Sequence, residues 1–82
     1  MDKNSINSRF LESVNYLLNN KIVSSKIELA ETLGIGNTKL SEILNERMKA
    51  GTDLIASLCY KYNINPDWIL MGKNSMFRHK SK

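Results

Sequence analysis

Apolar residues recur with the three-to-four-residue period of an α-helix along most of the chain, and polar or glycine-bearing breaks divide them into five stretches. In the first stretch Phe10, Val14, Leu17 and Leu18 lie on one stripe. The spacing predicts a helix starting near Asn7 or Ser8, with Asn7 as its N-cap and Ile6 folded over Leu11 as a hydrophobic staple. The polar run Asn19-Asn20-Lys21 ends it, and Ile22-Val23 is expected as a buried connector. Ser25-Lys26-Ile27-Glu28 reads as a capping box, in which a serine N-cap and a glutamate at the third helical position satisfy two backbone N–H groups reciprocally. A second helix is therefore predicted over Lys26 to Leu33, with Ile27, Leu29, Ala30 and Leu33 inward. Gly34 suits the left-handed backbone that closes a helix.

A third helix is predicted over about Asn37 to Asn45, with Leu40, Ile43 and Leu44 as its core face. Arg47 to Gly51 form a polar connection. Thr52 is expected to cap a fourth helix whose Leu54, Ile55, Leu58, Cys59 and Tyr62 face inward. Asn65-Pro66 opens a short fifth helix, since proline at the first helical position loses no hydrogen bond, and Gly72 closes it. Lys73 to Lys82 are expected to be a basic tail with no order of its own. The fold class is thus all-α, a compact five-helix domain over residues 1–72 followed by a tail over 73–82.

Composition narrows the picture. Eighty-two residues suffice for one domain. A single cysteine and a single histidine give neither an internal disulfide nor a zinc site, so an apolar core must hold the fold. Cys59 is expected as a buried structural thiol, and Trp68 as a core anchor or a subunit contact. His79 has no metal-binding or catalytic companions. No membrane span or signal peptide is visible, and a cytoplasmic location is expected. Paired carboxylates, a phosphate-binding glycine loop and a nucleophile–base pair are not found at recognisable spacing, so neither an enzyme nor a cofactor is expected.

The net charge of +4 at first points to nucleic acid, but its position changes its meaning. Lys73, Arg78, Lys80 and Lys82 stand in a tail without acidic residues, leaving eight basic and eight acidic residues in 1–72. Binding by the folded part must rest on where its charges sit.

Two short helices joined by Gly34-Ile35-Gly36 are the decisive feature. A three-residue glycine turn makes the helices cross steeply, so the first braces the second while the second protrudes. Ala30 fits a close approach of the pair, and Leu40 is expected to plug the core beneath the second helix. At 100° per residue, Thr38, Ser41, Glu42 and Asn45 fall on or toward the side opposite Leu40, Ile43 and Leu44, with Asn37 exposed at the start. Such short hydrogen-bonding side chains can read base edges in a major groove. The bland alternative is a solvated polar face.

The segment KIELAETLGIGNTKLSEILN resembles the helix-turn-helix of the Cro/repressor (XRE) family, including lambda-type repressor N-terminal domains. Leu29-Ala30, Gly34, Leu40 and Ile43 occupy matching positions, and the five-helix order and the Tyr62…Asn65-Pro66-Asp67-Trp68-Ile69-Leu70…Gly72 ending are similar as well. The resemblance covers roughly residues 8–72. It implies that Asn37, Thr38, Ser41 and Glu42 face bases, and that Lys26, Lys39, Asn45, Arg47 and Lys49 contact phosphate. Gly36 departs from the serine that commonly caps the recognition helix. Glu42 is expected mainly as a solvent-facing charge paired on the helix, for instance with Lys39 or Lys49, with acceptance from a cytosine amino group as the alternative.

The resemblance implies a transcriptional regulator of the phage-repressor type, with double-stranded DNA as its partner. A palindromic operator would be bound by a homodimer, with half-sites about one helical turn (~34 Å) apart. Helix 5 and the tail, including Met76 and Phe77, are the candidate dimer or protein contact. The alternatives are the antitoxin of a toxin–antitoxin pair and the N-terminal piece of a longer repressor.

Overall fold

A computed structural model describes residues 5–78. Five helices follow in order: α1 (Ser5–Asn19), α2 (Lys26–Leu33), α3 (Asn37–Leu44), α4 (Thr52–Tyr62) and α5 (Pro66–Met71). The all-α expectation holds. α1 packs chiefly on α5, α2 packs on α3 and α4, and α4 also meets α5. Phe10, Val14, Leu17, Leu29, Leu40, Ile43, Leu58, Ile64 and Ile69 are sealed from solvent in the shared core. No helix among the described residues is long and apolar enough to cross a membrane.

Helix ends follow local chemistry, with instructive departures. Ser25 caps α2 as expected, its Oγ accepting from the Glu28 N–H at 3.1 Å. The reciprocal bond is displaced by one residue: the Glu28 carboxylate accepts from the N–H of Ser24 at 2.9 Å and from the Ser24 hydroxyl. α2 closes on Gly34 at φ +75°, where the N–H of Gly34 donates to the Glu31 carbonyl and that of Ile35 to the Ala30 carbonyl, the paired bonds of a Schellman ending. Asn65 caps α5 by accepting from the Asp67 N–H at 3.0 Å.

Several expectations need correction. Asn7 is not a cap, because α1 already runs from Ser5; its side chain is used elsewhere. Gly51, not Thr52, occupies the cap position of α4, without a side-chain bond, and Thr52 is the first helical residue. Ile27 and Ile22 are not core residues, being 57% and 49% exposed. In α2 the inward side is filled by Leu29, Ala30 and Leu33, which leaves Ile27 facing out two positions from the cap. Of the Ile22-Val23 pair only Val23 enters the core.

The chain after α5 also differs from an unordered tail as far as Arg78. Asn63 ends α4 in the left-handed region at φ 62°, turning the chain so that Ile64 forms an antiparallel bridge with Phe77. The Asn65 N–H donates to the Met76 carbonyl at 2.7 Å and the Arg78 N–H to the Asn63 carbonyl at 3.1 Å. The Asn63 side chain donates to the Arg78 carbonyl and accepts from Arg78 Nε. Phe77 meets the Tyr16 ring at 5.2 Å between centroids. His79, Lys80 and Lys82 lie outside the described residues.

The cap of α2 makes stability pH-dependent. Hydrogen bonds from the Ser24 hydroxyl, then from its backbone, hold the Glu28 carboxyl below the ordinary 4.5, so its folded pKa lies under its unfolded one. That contribution is complete above about pH 4.5 and is lost as pH falls through the folded value. The Tm advantage of the wild type over Glu28→Gln should therefore be constant near neutrality and shrink below that point. The two turn glycines should behave oppositely. A Cβ on Gly34 meets no atom within 4 Å, so Gly34→Ala isolates the left-handed backbone cost and should lose about 1–2 kcal/mol in urea unfolding. Gly36 has ordinary extended geometry (φ −72°, ψ 151°), so Gly36→Ser can add the missing cap and should gain roughly a few tenths of a kcal/mol.

Candidate nucleic-acid interface

The protruding element is built from the turn outward. Once Gly34 has ended α2, Ile35 is half-buried and Gly36 starts α3 in extended geometry. Leu40 and Ile43 of α3 are completely buried and Leu44 is partly so, which fixes the rotation of the helix. Asn37, Thr38, Lys39 and Ser41 are consequently exposed, and Glu42 is half-exposed along the flank. Ala30, 2% exposed, lies on the inner side of α2. The first turn of α3 carries no acidic residue, so the positive end of its backbone dipole is not neutralised locally.

The candidate phosphate contacts divide into two groups. Lys26 is the first residue of α2, roughly 12 Å of helix from the turn at that helix's other end. Lys39 is exposed within α3, while Asn45, Arg47 and Lys49 lie exposed at its C-terminal end and in the connection to α4. Asn45 is the C-cap rather than a member of α3, and its N–H donates to the Ser41 carbonyl at 2.9 Å.

Glu42 is a paired, partly exposed charge as expected, and its partner is Arg47. Arg47 Nη1 stands 3.4 Å from its Oε2, and the Arg47 N–H donates to the Glu42 carbonyl at 2.9 Å. The chain achieves this reach because Glu46 takes a left-handed conformation at φ 64°, folding residue 47 back onto the last turn of α3. A negative charge on the candidate DNA face is thereby matched by a cation five residues on. Both side chains remain substantially exposed, so the pair itself adds little stability.

Two supporting contacts were not read from sequence, one of them made by Asn7, which was expected only as a helix cap. Asn7 of α1 accepts from the Ala50 N–H at 3.1 Å and ties down the end of the α3–α4 connection. Arg9 donates to the carbonyls of Ile69 and Leu70 at 2.9 and 3.2 Å, satisfying the C-terminal end of α5. Neither bond has a local sequence signal, since each joins residues more than forty positions apart. Glu46 likewise has none, because glutamate is not a residue that favours positive φ. Asn63 did carry a signal, asparagine being several-fold enriched in the left-handed region.

Cys59 is buried, with its thiol pKa pushed up by burial and opposed only in part by the Arg78 charge. It remains a protonated packing residue at neutral pH. Among the described residues no group of three or more His, Cys, Asp and Glu could hold a metal ion.

A protein-family model described as a helix-turn-helix domain matches residues 14–75, a span that contains α2, the glycine turn, α3 and everything through Ser75. Neither the curated proteins nor the solved structures give a match. The matched span covers most of the chain, and it includes α5 as well as the helix pair. With α2 packed on both α3 and α4 and with α3 exposing a polar row, this chain belongs to the XRE-type helix-turn-helix domain family.

Proposed function

We propose that the protein is a sequence-specific transcriptional regulator of the phage-repressor type, inserting α3 into the major groove of a palindromic operator. The observation that carries this reading is the division of α3. Leu40 and Ile43 are fully buried, while Asn37, Thr38 and Ser41 present amide and hydroxyl groups to the outside. Those groups suit base edges, whereas Lys26, Lys39, Asn45, Arg47 and Lys49 suit phosphates. Glu42 has two roles open to it: holding Arg47 near the backbone, or accepting from a cytosine amino group. Regulation at an operator needs no catalytic group or cofactor and takes place in the cytoplasm.

A homodimer follows from the same reading, because one short recognition helix offers too few contacts for useful affinity. A cavity of about 310 Å³ opens between α4 and α5, its lining including Ile55, Ala56, Cys59, Pro66, Leu70 and Arg78. Tyr60, which also lines it, is 81% exposed, and Leu70 and Met71 of α5 are exposed beside it. A protruding aromatic next to an apolar hollow is a surface that a second copy can match about a two-fold axis. The same apolar surface supports the rival reading, an antitoxin whose main contact is a toxin protein.

Selection from a random duplex pool should enrich an inverted repeat. Thr38→Ala should relax base preference at one position of each half-site, whereas Arg47→Ala should weaken all sequences alike and reduce the salt slope by about one unit. Equal behaviour of the two variants would remove the assignment of readers and phosphate contacts. Tyr60→Ser with Leu70→Ser should give a monomer in sedimentation equilibrium and lose the preference for two half-sites over one. A wild-type chain that is monomeric on its operator would count against the dimer.

A further inference from the structure

The connection between α3 and α4, residues 45–51, carries Arg47 and Lys49, yet it is neither helix nor strand. Its beginning is held by α3. The N–H groups of Asn45, Glu46 and Arg47 donate to the carbonyls of Ser41, Ile43 and Glu42, and the Arg47 side chain meets Glu42. Its end is held from elsewhere. Asn7, half-buried on α1, accepts from the Ala50 N–H at 3.1 Å across 43 residues of sequence. Asn7 is itself firmly placed, because Phe10 and Val14 of the same helix are completely buried and Ile6 packs on the core edge. Ala50 also leans on the core, so the two anchored ends leave Met48 and Lys49 exposed on the span between them.

A loop fixed at both ends loses less conformational freedom when it meets a phosphate backbone than one fixed at a single end. We infer that Asn7 is a positioning residue for the DNA interface. By accepting from Ala50 it holds the 45–51 connection in the shape that presents Arg47 and Lys49 to phosphates. DNA affinity is then set partly from α1, through a side chain that does not touch DNA. This inference rests on the DNA-binding reading above and adds to it a residue outside the recognition pair.

The test uses fluorescence anisotropy with a generic duplex of about 30 base pairs, because phosphate contacts act on any sequence and no operator need be known. Asn7→Ala should bind roughly five- to tenfold more weakly at low salt, with its log–log salt slope reduced by about one phosphate contact. Lys49→Ala should cost clearly less in the Asn7→Ala background than in the wild type, since the loop no longer presents that lysine well. Asn7→Asp keeps an acceptor oxygen at the same reach. Its added charge lowers affinity throughout, but the full effect of Lys49→Ala should return. Hydrogen exchange supplies an independent reading: the Ala50 amide should lose protection in Asn7→Ala and keep it in Asn7→Asp. Should Asn7→Ala not fold, Asn7→Ser, too short to reach Ala50, takes its place with the same expectations.

Additive losses from Asn7→Ala and Lys49→Ala, or an unchanged salt slope, would overturn the inference and leave Asn7 as a contributor to stability alone. So would an Asn7→Asp variant that behaves as Asn7→Ala does. Failure of the wild type to bind the duplex even at low salt is a separate result, and it would remove the DNA-binding reading itself.

Discussion

The angle between α2 and α3 is the constraint on which the other features depend, and it is set by Gly34. At φ +75° this residue lets the last carbonyls of α2 find donors in Gly34 and Ile35 while the chain turns away. A residue with a Cβ could continue the helix or strain the turn, but it could not make this corner without cost. Once the corner is made, α3 has one way to bury Leu40 and Ile43, and that choice decides which of its side chains face out. The polar row of Asn37, Thr38 and Ser41 is thus a consequence of packing as much as of sequence. Leu29, Ala30 and Leu33 complete the arrangement from the α2 side.

The rest of the domain keeps that pair from moving. α2 rests on α4, and α4 meets α5, which lies against α1. Two long-range contacts lock this circuit. Arg9 covers the carbonyl end of α5, and residues 76–78 return along Asn63 to Asn65. The second contact gives the C-terminal segment a structural use that its composition hides. Charge and small polar residues mark Lys73 to Lys82 as a tail, yet Met76 and Phe77 pack against the core. Two apolar side chains and two backbone bonds outweigh the polar surroundings as far as Arg78.

What could be read from the chain alone was whatever local physics decides. The limits of α2 and the left-handed role of Gly34 followed from capping chemistry, and the buried side of α3 followed from helical period. Misreadings cluster where a local signal was outcompeted. Asn7 has the chemistry of a cap, but helix formation began two residues earlier and its amide found Ala50 instead. Thr52 is a good cap residue standing one place too late, behind Gly51. Ile27 and Ile22 are apolar by identity and exposed by position, because Leu29, Ala30 and Val23 already fill the space beneath. Arg9 with α5 and Asn7 with Ala50 could not be read at all, since the partners meet only once the whole fold has closed.

The same division between local and closed-fold information applies to charge. Residues 1–72 carry no net charge, so a phosphate-binding face must come from how individual carboxylates are disposed. Two of them on α2 and α3 are engaged. Glu28 is turned back onto Ser24 at the start of α2, and Glu42 stands beside Arg47. Of these only the first is visible as a motif. The second depends on the left-handed Glu46, which brings a cation back along α3. A backbone conformation with an intrinsic cost is thus tied to a charge match on the exposed helix, and removing either would expose the other. The exposed face of α3 is therefore polar rather than basic: Glu42 on its flank is matched by the Arg47 cation, while Glu28 keeps its charge under hydrogen bonds from Ser24.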